Sequence, residues 1–154
     1  YDLWSCNNLY WYLTHACSPV TDGLMPYREA DLLRNILDRA DAALKEGKNQ
    51  ATLRFGHESC LLPLVALLEL NHYGESYPDV EKLSEQWRAY DIFPMASNVQ
   101  FVFFHKKGSN DVLVKVLLNE KEAKLPVKTD VAPYYHWKDV ESYYREKLDK
   151  YQHI

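Results

Sequence analysis

His57 and Glu58 stand side by side directly after a glycine, within Leu53-Arg54-Phe55-Gly56-His57-Glu58-Ser59-Cys60-Leu61-Leu62-Pro63-Leu64. An imidazole can donate hydrogen bonds or carry charge near neutral pH. A carboxylic acid can hand over a proton when burial or nearby anions raise its pKa above the usual value of about 4.3. Together they suit cleavage of a phosphate ester, in which the departing alkoxide needs a proton and the phosphoryl oxygens need hydrogen-bond donors. The pattern alone leaves a second reading open: a structural histidine capped by a neighbour, with Glu58 or Ser59 as the N-cap of the helix that follows.

The surrounding elements decide whether such a pair is presented. Ala51 to Phe55 reads as a short strand, and Ser59 to Leu70 as a helix apolar nearly all round, hence buried. A strand that ends in Gly56 and feeds a helix puts the pair where open α/β sheets bind ligands. Gly56 lets the backbone turn there, and the free N–H groups of the helix start favour an anion. Upstream, the aromatic-rich residues 1–16 read as a helix, and Ser18-Pro19 and Asp22-Gly23 as a loop. From Tyr27 to Glu46, Leu32, Leu33, Ile36, Leu37, Ala40, Ala43 and Leu44 recur at helical spacing, with Gly47 as the stop. Downstream, a polar helix is expected over Asp79 to Tyr90. Val99 to His105 and Val112 to Leu118 form a hairpin around Lys106-Lys107-Gly108-Ser109-Asn110-Asp111. Ala123 to Pro126 adds a third strand, Val127 to Pro133 is a loop, and Trp137 to Tyr151 is a final helix with acids early and lysines late. The order is that of an α/β or α+β domain. The lone strand must pair either with the hairpin or with chain from another part of the protein.

With 154 residues, 47 % hydrophobic and 26 % charged, the chain can build one core, and residues 1–154 are taken as one domain. A net charge of −4 and the lack of a basic stripe argue against nucleic acid. No apolar run approaches a membrane span. Of Cys6, Cys17 and Cys60, at least one has no internal partner; a Cys6–Cys17 bridge fits an oxidising compartment, and buried free thiols are the plainer expectation for all three. His57 with Cys60 as metal ligands lacks the further ligands of a closed site. A Cys60 nucleophile is disfavoured by its place in an apolar helix.

The segment from Leu53 to Leu64 resembles the second signature of the histidine acid phosphatases, branch 2 of the histidine phosphatase superfamily, closest to bacterial and multiple inositol polyphosphate phosphatase (phytase) members. That signature is a strand ending in Gly-His, an acid, and a Leu/Pro-rich helix. Asp2-Leu3-Trp4 with Asn7-Asn8, Ala30-Asp31-Leu32-Leu33 through Asp41, Pro94-Met95-Ala96-Ser97-Asn98, Val114 to Glu120 and Leu125-Pro126 also resemble the family, in the family's order. The resemblance implies part of a three-layer α/β/α core, a phosphohistidine intermediate, no metal or other cofactor, a phosphate ester substrate and a periplasmic or secreted setting. It implies that His57 binds the phosphoryl group and Glu58 protonates the leaving oxygen. The family's nucleophilic histidine lies in an earlier Arg-His-Gly-x-Arg-x-Pro motif. This chain has none, and His15, His72, His105, His136 and His153 lack that context. The expectation is therefore a C-terminal portion whose partner is a missing N-terminal portion of the same protein. Many members carry Asp directly after the histidine, where this chain has the longer Glu58. The inositol polyphosphate branch usually reads His-Ala-Glu, which would set the acid at Ser59.

Arg54 reads as a packed or ion-paired residue rather than a phosphate ligand, and Asn98 as a turn residue. The hairpin is apolar on both faces, which calls for burial on two sides or an interface. Its apolar edge invites a second copy of the chain. Two other functions remain beside the phosphatase: a non-catalytic ligand- or partner-binding module on the same fold, and a metal-dependent hydrolase.

Overall fold

Helices carry nearly half of the chain in a computed structural model that describes residues 1–151. Helix α1 (Asp2–His15) is followed by 3-10 turns at Pro19–Thr21 and Met25–Glu29, the second leading straight into α2 (Ala30–Glu46). The amphipathic pattern thus forms as expected. It ends at Gly47, whose φ of 65° is the left-handed conformation of a helix C′ position. Helix α3 (Glu58–Leu67) is buried along Leu62 to Leu67. It stops short of the expected Leu70 because Glu69 turns left-handed, at φ 53°.

Two short helices, α4 (Leu83–Gln86) and α5 (Ala89–Ile92), replace the single helix expected over 79–90. Between them Trp87 is extended and fully buried, with its ring against that of Tyr12. The Asn8 amide holds the break, donating to the Trp87 carbonyl at 3.0 Å and accepting from the Ala89 N–H at 2.8 Å. Burying one large ring outweighs the weak propensity of a polar segment.

The sheet is antiparallel. Strands β1 (Val99–His105) and β2 (Val112–Leu118) form the expected hairpin, and the other edge of β2 pairs with β3 (Lys121–Glu122) and β4 (Tyr135–His136). The register puts Val99, Phe101 and Phe103 opposite Leu118, Val116 and Val114, on the core-facing side. The other face is half-covered: Phe104 meets Tyr134 edge-on and stays 41 % exposed. The strand expected over 123–126 ends at Glu122. Beyond it, Lys124 exchanges two bonds with Asn71, and Leu125 N–H donates to the Tyr135 hydroxyl, so side chains and a loop satisfy that backbone instead of a ladder.

Helix α6 (Trp137–Tyr151) closes the core over α2 and α3. Arg145 reaches Asp38, Asp41 and Glu141, and Trp137 Nε1–H donates to Asp41. At the far end of α3, the Leu68 carbonyl accepts from Tyr144 and the Leu67 carbonyl from Lys147, both at 2.7 Å. These are the orphan acceptors that every helix end must satisfy. Burial lowers the Lys147 pKa, and Glu69, 3.2 Å away, opposes that shift. The mixed α/β architecture matches the class expected from sequence. Among the described residues, no helix is long and apolar enough to cross a membrane.

The cysteines differ from the expectation of burial. All three are free, and Cys6 and Cys60 are exposed because each sits on the outer side of its helix. Cys17 is half-buried, and burial pushes its thiol up to about 11. At pH 8, iodoacetamide should therefore modify Cys17 about two orders of magnitude more slowly than a free cysteine, from thiolate fraction alone. Peptide mass spectrometry should show early adducts on Cys6 and Cys60; labelling of Cys17 at their rate would contradict the burial.

Candidate functional site

The approach to His57 is not a strand. Residues 51–57 take no regular secondary structure and pair with no strand among the described residues, and every residue from 45 to 58 is exposed. Leu53 is 75 % exposed and Phe55 94 %. A β-strand exists only through its ladder, so local β propensity cannot form one without neighbours. Neither hairpin strand pairs with this segment. Its named tether is polar: Arg54 Nη2 donates to Asn35 Oδ1 on α2 at 2.7 Å. Arg54 is thus held by a neutral amide rather than packed or ion-paired, and no sequence signal marked Asn35 as its partner. Gly56 has ordinary backbone angles, and a side chain there would meet open space, so the chain itself makes no close approach at that point.

His57 is the N-cap of α3, with φ −101° and ψ 164°, and its carbonyl accepts from the N–H groups of Cys60 and Leu61 at 3.0 and 3.1 Å. No side chain caps this helix start. The reading in which Glu58 or Ser59 is the cap is therefore replaced by one in which His57 caps through its backbone and leaves its imidazole uncommitted. Glu58 opens the first turn, where the positive end of the helix dipole lies. Ser59, one residue on, turns partly inward. The chain thus brings an imidazole, a carboxyl group and helix-start N–H groups to one exposed edge, and the described residues supply no wall around them.

The other histidines are occupied elsewhere. His15 is buried beside Thr14 and Trp11, and burial lowers its pKa. His72 lies against Tyr73, His105 meets the Ser109 carbonyl, and His136 sits between two aspartates. His153 lies outside the described residues. Among the described residues, no cluster of three or more His, Cys, Asp or Glu could hold a metal ion. A hollow of about 210 Å³ lies at the far end of α3, lined by Glu69, Asn71, His72, Gly74 and Glu75. Gly74 is required there, since a Cβ would come within 2.8 Å of the Glu69 Cα. Asn98 lies between the turn at 95–96 and β1: its N–H donates to the Asn119 side chain, and its own amide donates to the Ala96 carbonyl. The rings of residues 4–12 act mainly in packing, with Tyr12 fully buried and Trp11 edge-on to Phe93.

The sequence profile of the histidine phosphatase superfamily (branch 2) matches residues 27–119, a span that includes His57 and Glu58. The chain belongs to that superfamily. Among other members, it is 28 % identical over 134 residues to human multiple inositol polyphosphate phosphatase 1, covering 79 % of this chain and 27 % of that protein. The chicken protein of the same name is 27 % identical over 135 residues, covering 76 % and 28 %. The crystal structure of Bifidobacterium longum multiple inositol polyphosphate phosphatase in complex with inositol hexasulfate matches with a TM-score of 0.64 at 28 % identity, over 74 % of this chain and 25 % of that one. The apo form of the same enzyme matches with a TM-score of 0.76 at 24 % identity, over 90 % and 30 %, and speaks for the fold alone. This chain thus adopts part of the histidine phosphatase fold, and spans between a quarter and a third of the length of these relatives.

Proposed function

We propose that this chain is one domain, the C-terminal portion of a histidine-type phosphatase that hydrolyses phosphomonoesters through a phosphohistidine. The observation that carries the proposal is the His57-Glu58 pair at the exposed start of α3, inside the span that matches the superfamily. His57 donates to the phosphoryl oxygens. A histidine in the N-terminal portion attacks phosphorus; a P–N bond forms as the ester P–O bond breaks, and the Glu58 carboxyl gives its proton to the leaving oxygen. Water then attacks phosphorus, Glu58 takes back a proton, and the P–N bond breaks to release phosphate. No metal is needed at any step.

Three features support a missing portion. Among the described residues, the 51–57 segment has apolar side chains and no ladder partner, the pair has no wall, and the relatives are about three times as long. The free outer edge of β1 could also take up a second copy of the chain. The named relatives favour inositol phosphates as substrates, and the family resemblance favours a periplasmic or secreted protein. The isolated chain should show no turnover of p-nitrophenyl phosphate, whereas the full-length protein should turn it over without added metal and lose that activity in His57→Ala. Metal-independent hydrolysis by the isolated chain, abolished by His57→Ala, would sink the assignment of the nucleophile to another portion.

A non-catalytic module is favoured by one feature, the acid at Glu58 rather than at Ser59. In that reading the full-length protein binds inositol hexakisphosphate in a titration calorimeter and releases no phosphate from it.

A further inference from the structure

We propose that His136 is a proton-operated latch: protonated, it ties the end of the β-hairpin and Asp130 of the 127–133 loop to the start of α6, and on losing its proton it lets go of Asp130. The argument rests on hydrogen-bond inventory. Nδ1 of His136 lies 3.0 and 3.1 Å from the two Asp111 oxygens, and Nε2 lies 2.9 Å from Asp130 Oδ1. Carboxylates only accept, and a neutral imidazole carries a single N–H. Both contacts therefore coexist only in the imidazolium form, and a neutral ring would aim a lone pair at one carboxylate.

Three segments meet at this ring. Asp111 is the residue just before β2, Asp130 belongs to the loop, and His136 ends β4, where it pairs with Leu113. The charged groups that face it are those two aspartates. On β2, the Lys115 ammonium is taken up by Glu122 at 3.3 Å and lies over the Tyr134 ring. Lys138 and Asp139 follow in the first turn of α6, and Lys128 lies in the loop. The Asp111 and Asp130 contacts hold the His136 pKa above its ordinary value, and the His136 contact holds that of Asp130 below its own. The sign follows: a histidine raised in the folded state adds stability below its unfolded value of about 6.5, and that stability is lost as pH rises through the folded value.

Asp130 is the arm that lets go. It is 83 % exposed, against 51 % for Asp111, and it makes one contact where Asp111 makes two. The rest of the loop stays pinned, by the Thr129 hydroxyl donating to the Tyr134 carbonyl and by Tyr134 N–H donating to Val131. Release is thus local, and it is independent of any phosphatase chemistry at His57.

The test is an NMR titration of the His136 ring in this chain, with amide hydrogen exchange of residues 127–136 at pH 5.5 and 8, corrected for intrinsic rates. The ring should titrate above 6.5, and D130N should bring its midpoint down. Loop amides should exchange roughly two- to five-fold more slowly in acid, the range open to exposed ion pairs, and H136Q should erase that difference. A midpoint at or below 6.5, a loop indifferent to pH, or an unchanged pH dependence in both H136Q and D130N would each overturn the latch.

Discussion

With Glu58 as the proposed general acid, Glu58→Gln in the full-length protein should lower kcat on an alkyl phosphate by about 10²- to 10⁴-fold, the usual contribution of a positioned general acid. On p-nitrophenyl phosphate the loss should be much smaller, because a nitrophenolate departs without needing a proton. This asymmetry separates proton donation from a merely structural role. A damaged fold would depress both substrates alike, and an equal loss on the two would remove Glu58 as the donor. His57→Ala should instead lower both, since phosphoryl oxygens need donors whatever the leaving group. A double variant probes the geometry further. Glu58 is the first residue of α3 and Ser59 the second, about 100° further round the helix. Glu58→Ala with Ser59→Glu moves the acid to the place it usually holds in the inositol polyphosphate branch. Recovery of alkyl phosphate turnover would mean that the site tolerates a donor from either position. Failure to recover would mean that the surrounding walls are built around Glu58.

What the sequence could and could not convey follows from the range of the forces involved. Helix α2 was legible because its apolar spacing and the glycine after it are local, and the structure ends the helix at that glycine. The hairpin was legible for the same reason, with two β-rich runs joined by a turn. The segment before His57 misled because apolar residues suggest a buried strand, whereas Leu53 and Phe55 face solvent and find no ladder among the described residues. The polar stretch over 79–90 misled because Trp87 answers to Asn8 and Tyr12, some 80 residues away, rather than to its neighbours. At the site, Gly-His-Glu before an apolar run correctly signalled a helix start carrying an imidazole and an acid. The Asn35 tether to Arg54 left no trace, since a hydrogen bond between two exposed side chains needs no special spacing.

Asn8→Leu should destabilise the chain by about 2–4 kcal/mol, although the two side chains share the same branching and number of heavy atoms. Asn8 is 1 % exposed, and its amide serves the Trp87 carbonyl and the Ala89 N–H. Leucine would leave both backbone groups buried without partners, each at a cost of about 1–3 kcal/mol, against a modest gain from the added apolar surface. A stability of this order is a large fraction of what a domain of this size possesses. Urea unfolding followed by circular dichroism should show the midpoint fall with the slope unchanged. Asn8→Asp sharpens the point, because it keeps an acceptor for Ala89 and turns the donor facing Trp87 into a second acceptor. It too should destabilise at neutral pH. The loss should shrink in acid, where a protonated carboxyl regains an O–H for the Trp87 carbonyl. A loss under 1 kcal/mol in Asn8→Leu would show that the α4–α5 break is held by the buried Trp87 ring alone, with the amide a passive neighbour.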